Sequence, residues 1–242
     1  MELWSDGVIG QSSATEESLE NMKELHSWNV DVQRAIQIQE TLRDQLILEK
    51  TFSHIKTIGG ADVSYSDGNY LLGMILVFSY PDLKLLDSSS AYGKTPFPYI
   101  SGLLAFREGP ILIEAFQKLR TKPDLMIFEG QGIAHPRGFG MASHLGLWLD
   151  TPSIGCTKTP LVATEITVGT SKGQLQTILR DGAEVGAVVR TKTNVKPVFV
   201  SPGHKVDLST SVQMILETCR DVRLPEPLRK ADVVSRQLLH RA

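Results

Sequence analysis

The chain has 242 residues, of which 41% are hydrophobic and 21% charged, with a formal net charge of −2. These values are ordinary for a soluble globular protein, and the length fits a single α/β domain better than two small ones. The near-neutral charge argues against a bulk nucleic-acid binder, which is usually basic, but it allows an enzyme whose local basic groove is offset by acidic metal ligands.

No apolar run approaches a membrane span, and the N-terminus lacks a signal-peptide core. A cytoplasmic address without membrane contact is the default expectation. The two cysteines, Cys156 and Cys219, form no CxxC pair, so no zinc or redox motif is visible and both read as buried thiols. Residues 1–25 are polar and acidic, as in a loosely ordered tail. Residues 26–242 remain as one domain.

From Asp31, the apolar residues Val32, Ala35, Ile36, Leu42 and Leu46 recur at helical spacing and predict a helix to about Leu48. A three-stranded meander follows. Its strands are Thr57–Tyr65, Leu71–Ser79 and Leu83–Ala91, with turn signals at Ser66-Asp67-Gly68-Asn69 and Tyr80-Pro81-Asp82. Thr95 to Gly102 alternates prolines with aromatics, the pattern of a constrained loop. A helix beginning between Ser101 and Phe106 runs to Leu119. Next comes a short strand, Leu125–Phe128, then a helix from Met141 to Leu149 and a strand from Ser153 to Cys156. Two more strands, Val185–Arg190 and Val198–Val200, join around Thr193-Asn194. A helix from Asp207 to Arg220 follows. This order predicts an α/β fold, a mixed central sheet with helices on both faces.

The most informative stretch is Leu125 to Arg137. A buried strand ends in Glu129, and Gly130 and Gly132 let backbone approach a ligand. His135 and Arg137 then offer a proton-transfer group and a phosphate partner. Asp62 lies within the first strand, and Glu108 sits near the start of a helix. Acids on neighbouring strands converge on one point, and two or three carboxylate oxygens suit Mg²⁺. A metal beside a phosphodiester points to in-line hydrolysis. Each residue also has an ordinary explanation. Asp62 fits a turn or sheet edge, Glu108 a helix first turn, and His204, in Ser201-Pro202-Gly203-His204-Lys205, a surface loop. His144, inside a helix, reads as structural.

Six segments together resemble the endonuclease V family, the deoxyinosine-directed nucleases. They are GGADVSY (59–65), PYISGLLAFREGP (98–110), KPDLMIFEGQGIAHPR (122–137), GMASHLGLWLDTPSIGCTK (140–158), SPGHKVD (201–207) and RLPEPLRKAD (223–232). They cover most of residues 55–235 in the family's order. The resemblance implies a ribonuclease-H-like sheet carrying acids around Mg²⁺, with Mn²⁺ as substitute. It also implies a DNA-repair activity that hydrolyses the second phosphodiester 3′ to deoxyinosine and leaves 3′-hydroxyl and 5′-phosphate ends.

By the same resemblance, Asp62, Glu108, Glu129 and His204 form the catalytic group, with Asp62 and Glu129 on the metal. Arg107 and Lys158 handle phosphate or position the acids, and His135 supports the site. Pro98, Tyr99, Ile100 and Ser101 form a strand-separating wedge. Gly102, Leu104 and Gly130 line the pocket of a rotated-out base. The expected partner is DNA containing deoxyinosine, or alternatively RNA containing inosine, and the expected state is a monomer. Two departures stand out. Glu129 occupies a position where the family has Asp, and Ser101 one where the wedge has Pro. The extra methylene at 129 implies a shifted metal, a Mn²⁺ preference, or in the extreme a weakly catalytic inosine binder.

Overall fold

The computed structural model describes residues 24–95, 97–162 and 164–239. Most of the expected N-terminal tail, residues 1–23, lies outside the described residues, as does Pro96 of the constrained loop. Asp31 caps helix α1 (Val32–Leu42), accepting a hydrogen bond from the Arg34 amide. The helix stops short of Leu48 and passes through a 3₁₀ turn, Arg43–Gln45. Beyond it the chain is held extended, because the Ile47 amide meets His204 Nδ1 at 3.3 Å.

Strands β1 (Thr57–Ser66), β2 (Tyr70–Ser79) and β3 (Leu85–Lys94) form the expected antiparallel meander. β3 starts two residues late because Leu83 takes a positive φ of 58° in the preceding turn, bonding back to Ser79. Helix α2 (Leu104–Lys118), strand β4 (Leu125–Glu129), helix α3 (Met141–Trp148) and strand β5 (Ser153–Thr157) follow. Then come β6 (Leu175–Arg180), β7 (Ala183–Val189), β8 (Val198–His204), α4 (Leu208–Thr218) and α5 (Glu226–Leu239). The strands lie in one sheet, ordered β3-β2-β1-β4-β5-β8-β7-β6, with β4 parallel to both β1 and β5 and the other pairs antiparallel.

Alternating side chains send β1, β2 and β4 into two cores. Ile58, Leu76, Ile127 and Val200 pack with Ile215 of α4 and Leu228 of α5. Ala61, Ile75 and Phe128 pack on the other face with Leu112 of α2 and Leu145 of α3. The sheet is therefore mixed and covered on both sides, as the element order predicts. Residues 71–78 of β2 are all buried, and so read as one unbroken apolar run. Burying a side chain such as Ile127 or Phe128 completely contributes roughly 1.5–3 kcal/mol.

Two elements were not foreseen. β6 is an edge strand whose Leu175 and Leu179 face outward, so it lacks the pattern of a covered strand. α5 is rich in charge and hides its core contact in a narrow stripe of Leu228, Ala231 and Ser235.

Candidate active site

β1 and β4 run parallel with Ala61 opposite Phe128. Asp62 and Glu129 each follow one residue later, so the register sets them side by side on adjacent strands. Both alternate onto the face covered by α5, in phase with Ile58 and Ile127 of that core. α5 lies across β1 and brings Ser235 to Asp62, with Ser235 Oγ 3.1 Å from Asp62 Oδ2 and 2.8 Å from Ser64 Oγ. With Ser64 donating, the Ser235 proton is free for the carboxylate.

Burial raises the Asp62 carboxyl to about 6, helped by the negative charge of Asp232 and opposed by Ser235, Lys158 and Arg236. Burial likewise raises Glu129 to about 7, against Lys158 and with Asp62 and Asp232. Glu108 reaches in from α2 and is almost fully buried. Burial lifts it to about 8, the Tyr65 hydrogen bond pulls it down, and Asp62 and Glu129 push it further up. The Tyr65 hydroxyl donates to Glu108 Oε1. These carboxylates therefore repel one another around a shared space with too little positive charge to balance them. That space is a cavity of about 220 Å³ lined by Asp62, Tyr65, Tyr99, Leu104, Glu108 and Glu129.

The donor set is all carboxylate oxygen and electrostatically unsatisfied, which fits a hard divalent cation. Among the described residues, no group of three or more His, Cys, Asp or Glu side chains forms a ready-made cage. That is compatible with Mg²⁺, which takes one or two carboxylates and completes its shell with water and phosphate. Lys158 Nζ lies 3.9 Å from Glu129 Oε1 and is half exposed, within reach of an incoming anion. Arg107 is buried. Its Nη1 donates to Phe97 O at 2.6 Å and its guanidinium lies 5.2 Å from the Tyr65 ring centre, so it ties the loop after β3 to the Tyr65–Glu108 pair. Arg107 is thus turned toward this loop and the Tyr65–Glu108 pair.

A second cavity of about 140 Å³ adjoins the first, sharing Tyr99 and Leu104. Its lining includes Ile100, Ser101, Gly102, Gly130, His135 and Met141. The expected wedge and pocket residues are thus brought together, apart from Pro98, which leads into the loop. Tyr99 is 72% exposed at the tip, while Ile100 packs against the cluster of Phe97, Leu103 and Phe106. Gly102 has φ +81° and Gly130 φ +146°, conformations that favour glycine.

Three sequence expectations are corrected by position. His135 is no proton shuttle. Burial and the Arg137 charge lower its pKa to about 4, so the ring is neutral, accepting from Arg137 N through Nδ1 (3.1 Å) and donating from Nε2 to Gly102 O (2.9 Å). Both ring nitrogens are thus engaged by backbone. Arg137 is not aimed at a phosphate, since Nη2 donates to Gly102 O at 2.7 Å and Nε to Gln39 Oε1 at 2.6 Å. His204 is not brought to the acids. It pairs with Ser153 at the start of β5, whereas Glu129 pairs with Cys156 at its far end. That offset is roughly 10 Å along the strands and two strands across. His204 is 2% exposed and faces Ile47 and Asp150 instead.

Asp232, Tyr65 and Gln39 escaped the sequence reading. Asp232 had a usable signal. The spacing of Leu228, Ala231 and Ser235 marks a helix face, with Asp232 and Arg236 one turn apart beside it.

The protein-family model described as Endonuclease V matches residues 40–233, a span running from α1 through Asp232. An endonuclease V from Dictyoglomus turgidum is 46% identical over 218 residues, 90% of this chain and 95% of that protein. The crystal structure of the endonuclease V from Streptomyces avermitilis superposes with a TM-score of 0.84 at 36% identity, covering 89% of this chain and 96% of that one. The Ciona intestinalis endonuclease V, solved with a 23mer DNA containing an inosine followed by a ribo-adenosine, superposes with a TM-score of 0.78 at 30% identity, covering 87% and 97%. The ribonuclease-H-like arrangement expected from the sequence is shared with these structures.

Proposed function

Starting from the fact that the chain belongs to the endonuclease V family and is a nuclease, we propose that it hydrolyses the second phosphodiester 3′ to deoxyinosine in DNA, as a repair activity leaving 3′-hydroxyl and 5′-phosphate ends. The observation that carries this reading is the pairing of two adjoining cavities. One gathers Asp62, Glu108 and Glu129, and the other is a small pocket under an exposed tyrosine. A site that cuts beside a lesion without removing the base needs both a place for the base and a separate place for the phosphate.

In this proposal Asp62 and Glu129 hold Mg²⁺, with Mn²⁺ as substitute and Asp232 adding charge from α5. The cation, when bound, activates water and stabilises the leaving oxygen. Glu108, held by Tyr65, orients water or accepts a proton at the rim of the first cavity. Lys158 meets the phosphate. Tyr99 stacks in the gap left by the extruded base, with Ile100 and Phe97 bracing it from below. Leu104 and the backbone of Gly102 and Gly130 contact the base. Residues 26–242 act as one catalytic unit, monomeric and cytoplasmic. Among the described residues, no helix is long and apolar enough to cross a membrane.

The test is a labelled duplex with a single deoxyinosine, incubated with Mg²⁺, Mn²⁺ or a chelator. A metal-dependent nick at the second 3′ linkage is the expected result, and an intact strand in both metals would sink the proposal. Glu129→Asp run alongside is expected to raise the Mg²⁺ rate relative to the Mn²⁺ rate, because the shorter arm pulls the carboxylate back toward Asp62. A second reading, inosine in RNA, is favoured by one observation. The Ciona relative was solved on a strand with a ribose directly after the inosine. Matched DNA and RNA strands separate the two readings, and faster RNA cleavage would replace the first with the second.

A further inference from the structure

Helix α1 sends no acid into the cavity of Asp62, Glu108 and Glu129 and lies off the sheet, yet it buries one amide completely. Gln39 is 1% exposed, and every polar atom of its side chain is used. Nε2 donates to Gly102 O at 3.0 Å and to Phe139 O at 2.9 Å, while Oε1 accepts from Arg137 Nε at 2.6 Å. Arg137 closes the ring by donating from Nη2 to Gly102 O. With His135 Nε2–H, the Gly102 carbonyl has three donors for its two lone pairs.

That carbonyl is therefore fixed in direction, and the turn it belongs to is fixed with it. Leu103 N bonds back to Ile100 O at 2.9 Å, so the clamped peptide sits inside the turn that also presents Tyr99 and Ser101. A Cβ on Gly102 would come within 2.9 Å of Arg137 Nη2, so the clamp closes over the glycine. Gln39 itself lines the second cavity. The helix does not need this amide to stay docked, because Ala35, Ile38 and Leu42 pack it against Phe97, Leu103, Phe106 and Phe139.

We propose that Gln39 is a positioning residue of the base pocket. Through the Gly102 carbonyl it holds the pocket mouth in shape, and it thereby sets how strongly an extruded hypoxanthine is retained. The inference rests on the base-pocket reading given above. Gln39 acts on the base and not on the acids, so its removal weakens recognition of the lesion while leaving backbone contacts to the nucleic acid in place.

Two variants test this. Gln39→Met keeps the length and removes all three hydrogen bonds. Gln39→Glu is isosteric and keeps the Arg137 contact but has no protons for the two carbonyls. Binding is measured without divalent metal to two otherwise identical strands, one with deoxyinosine and one with an abasic site at the same position. Melting temperature is recorded in parallel. Affinity for the deoxyinosine strand is expected to fall about tenfold to a hundredfold, with affinity for the abasic strand unchanged within about twofold. With metal present, KM for the deoxyinosine strand should rise by more than kcat falls. Equal losses on both strands, or no loss on either, would overturn the inference, and Gln39→Glu carries the test if Gln39→Met does not fold. If the unsubstituted protein shows no preference for deoxyinosine over the abasic strand, the base-pocket reading itself fails. If that preference survives in both variants, only the role of Gln39 fails.

Discussion

Replacing Glu129 with glutamine should make the protein more stable and stop it cutting. Burial and the charges of Asp62 and Asp232 move the Glu129 carboxyl from 4.5 to about 7, against the pull of Lys158. A carboxyl whose folded value is raised binds its proton more tightly in the folded state. Its contribution is therefore fully favourable below the unfolded value near 4.5 and is lost as pH rises through about 7. At pH 8.5 the unsubstituted protein carries the whole cost, whereas a neutral glutamine of the same shape carries none. A shift of about 2.5 units at 1.36 kcal/mol each sets a ceiling of about 3 kcal/mol. The side chain is 30% accessible and faces Lys158, so solvent screening brings the expected gain to about 1–2 kcal/mol. For a chain of this size that is roughly 2–8 °C in melting temperature.

The assay is thermal unfolding of both proteins in chelator at pH 5 and pH 8.5. Histidines whose values are lowered on folding, such as His135 and His144, change stability in the opposite sense over the lower part of this range. They are common to both proteins and cancel in the difference. The variant should match the unsubstituted protein near pH 5 and exceed it at pH 8.5. Saturating Mg²⁺ should close the gap by stabilising only the protein with the intact carboxylate. A variant no more stable at pH 8.5, or a gap independent of pH, would refute the claim that these acids repel one another in the metal-free site.

Three further outcomes are expected. Tyr65→Phe removes the donor to Glu108 and should lower kcat about tenfold with little change in binding, as read by single-turnover cleavage. His204→Ala leaves a buried gap beside Ile47 and should cost about 2–3 kcal/mol in denaturant unfolding while the folded fraction cuts at near-normal rate; a collapse of kcat in folded protein would return His204 to the catalytic group. Gly155→Ala places a Cβ within 2.4 Å of Gly132 N and 2.7 Å of Gly130 O. It should displace the segment after Glu129 and cost about 3 kcal/mol or more, seen as loss of soluble protein or a lowered melting temperature.

What the sequence disclosed follows from how local each signal is. The meander, β4 and α3 were legible because their apolar patterns and turns lie within a few residues of one another. Asp62 and Glu129 were legible because each is a carboxylate in or at the end of an apolar strand, where an acid needs a reason. Their meeting depends only on β1 and β4 being parallel neighbours, which the alternation of elements already suggests. His135 and Arg137 stand on the same segment and misled for the same reason. Adjacency in sequence suggested a shared task at the acids, but the turn after Gly130 carries both toward Gly102, where burial makes the imidazole neutral and Gly102 O and Gln39 take up the guanidinium.

Gln39 was illegible by that logic, and Asp232 was legible only as a position on a helix face. Each belongs to a helix that reaches the site from a distant part of the chain, and neither sits in a motif whose chemistry is visible alone. Asp232 matters because α5 crosses β1, and Gln39 because α1 docks over the Gly102 turn. The strand-borne acids were thus written in short stretches of sequence, while the charge beside them and the bracing of the Gly102 turn were written in packing. A variant scan confined to the strand-borne acids would find what the site cannot do without. It would miss the charge that α5 brings to the acids through Asp232 and the amide that α1 brings to the Gly102 turn through Gln39.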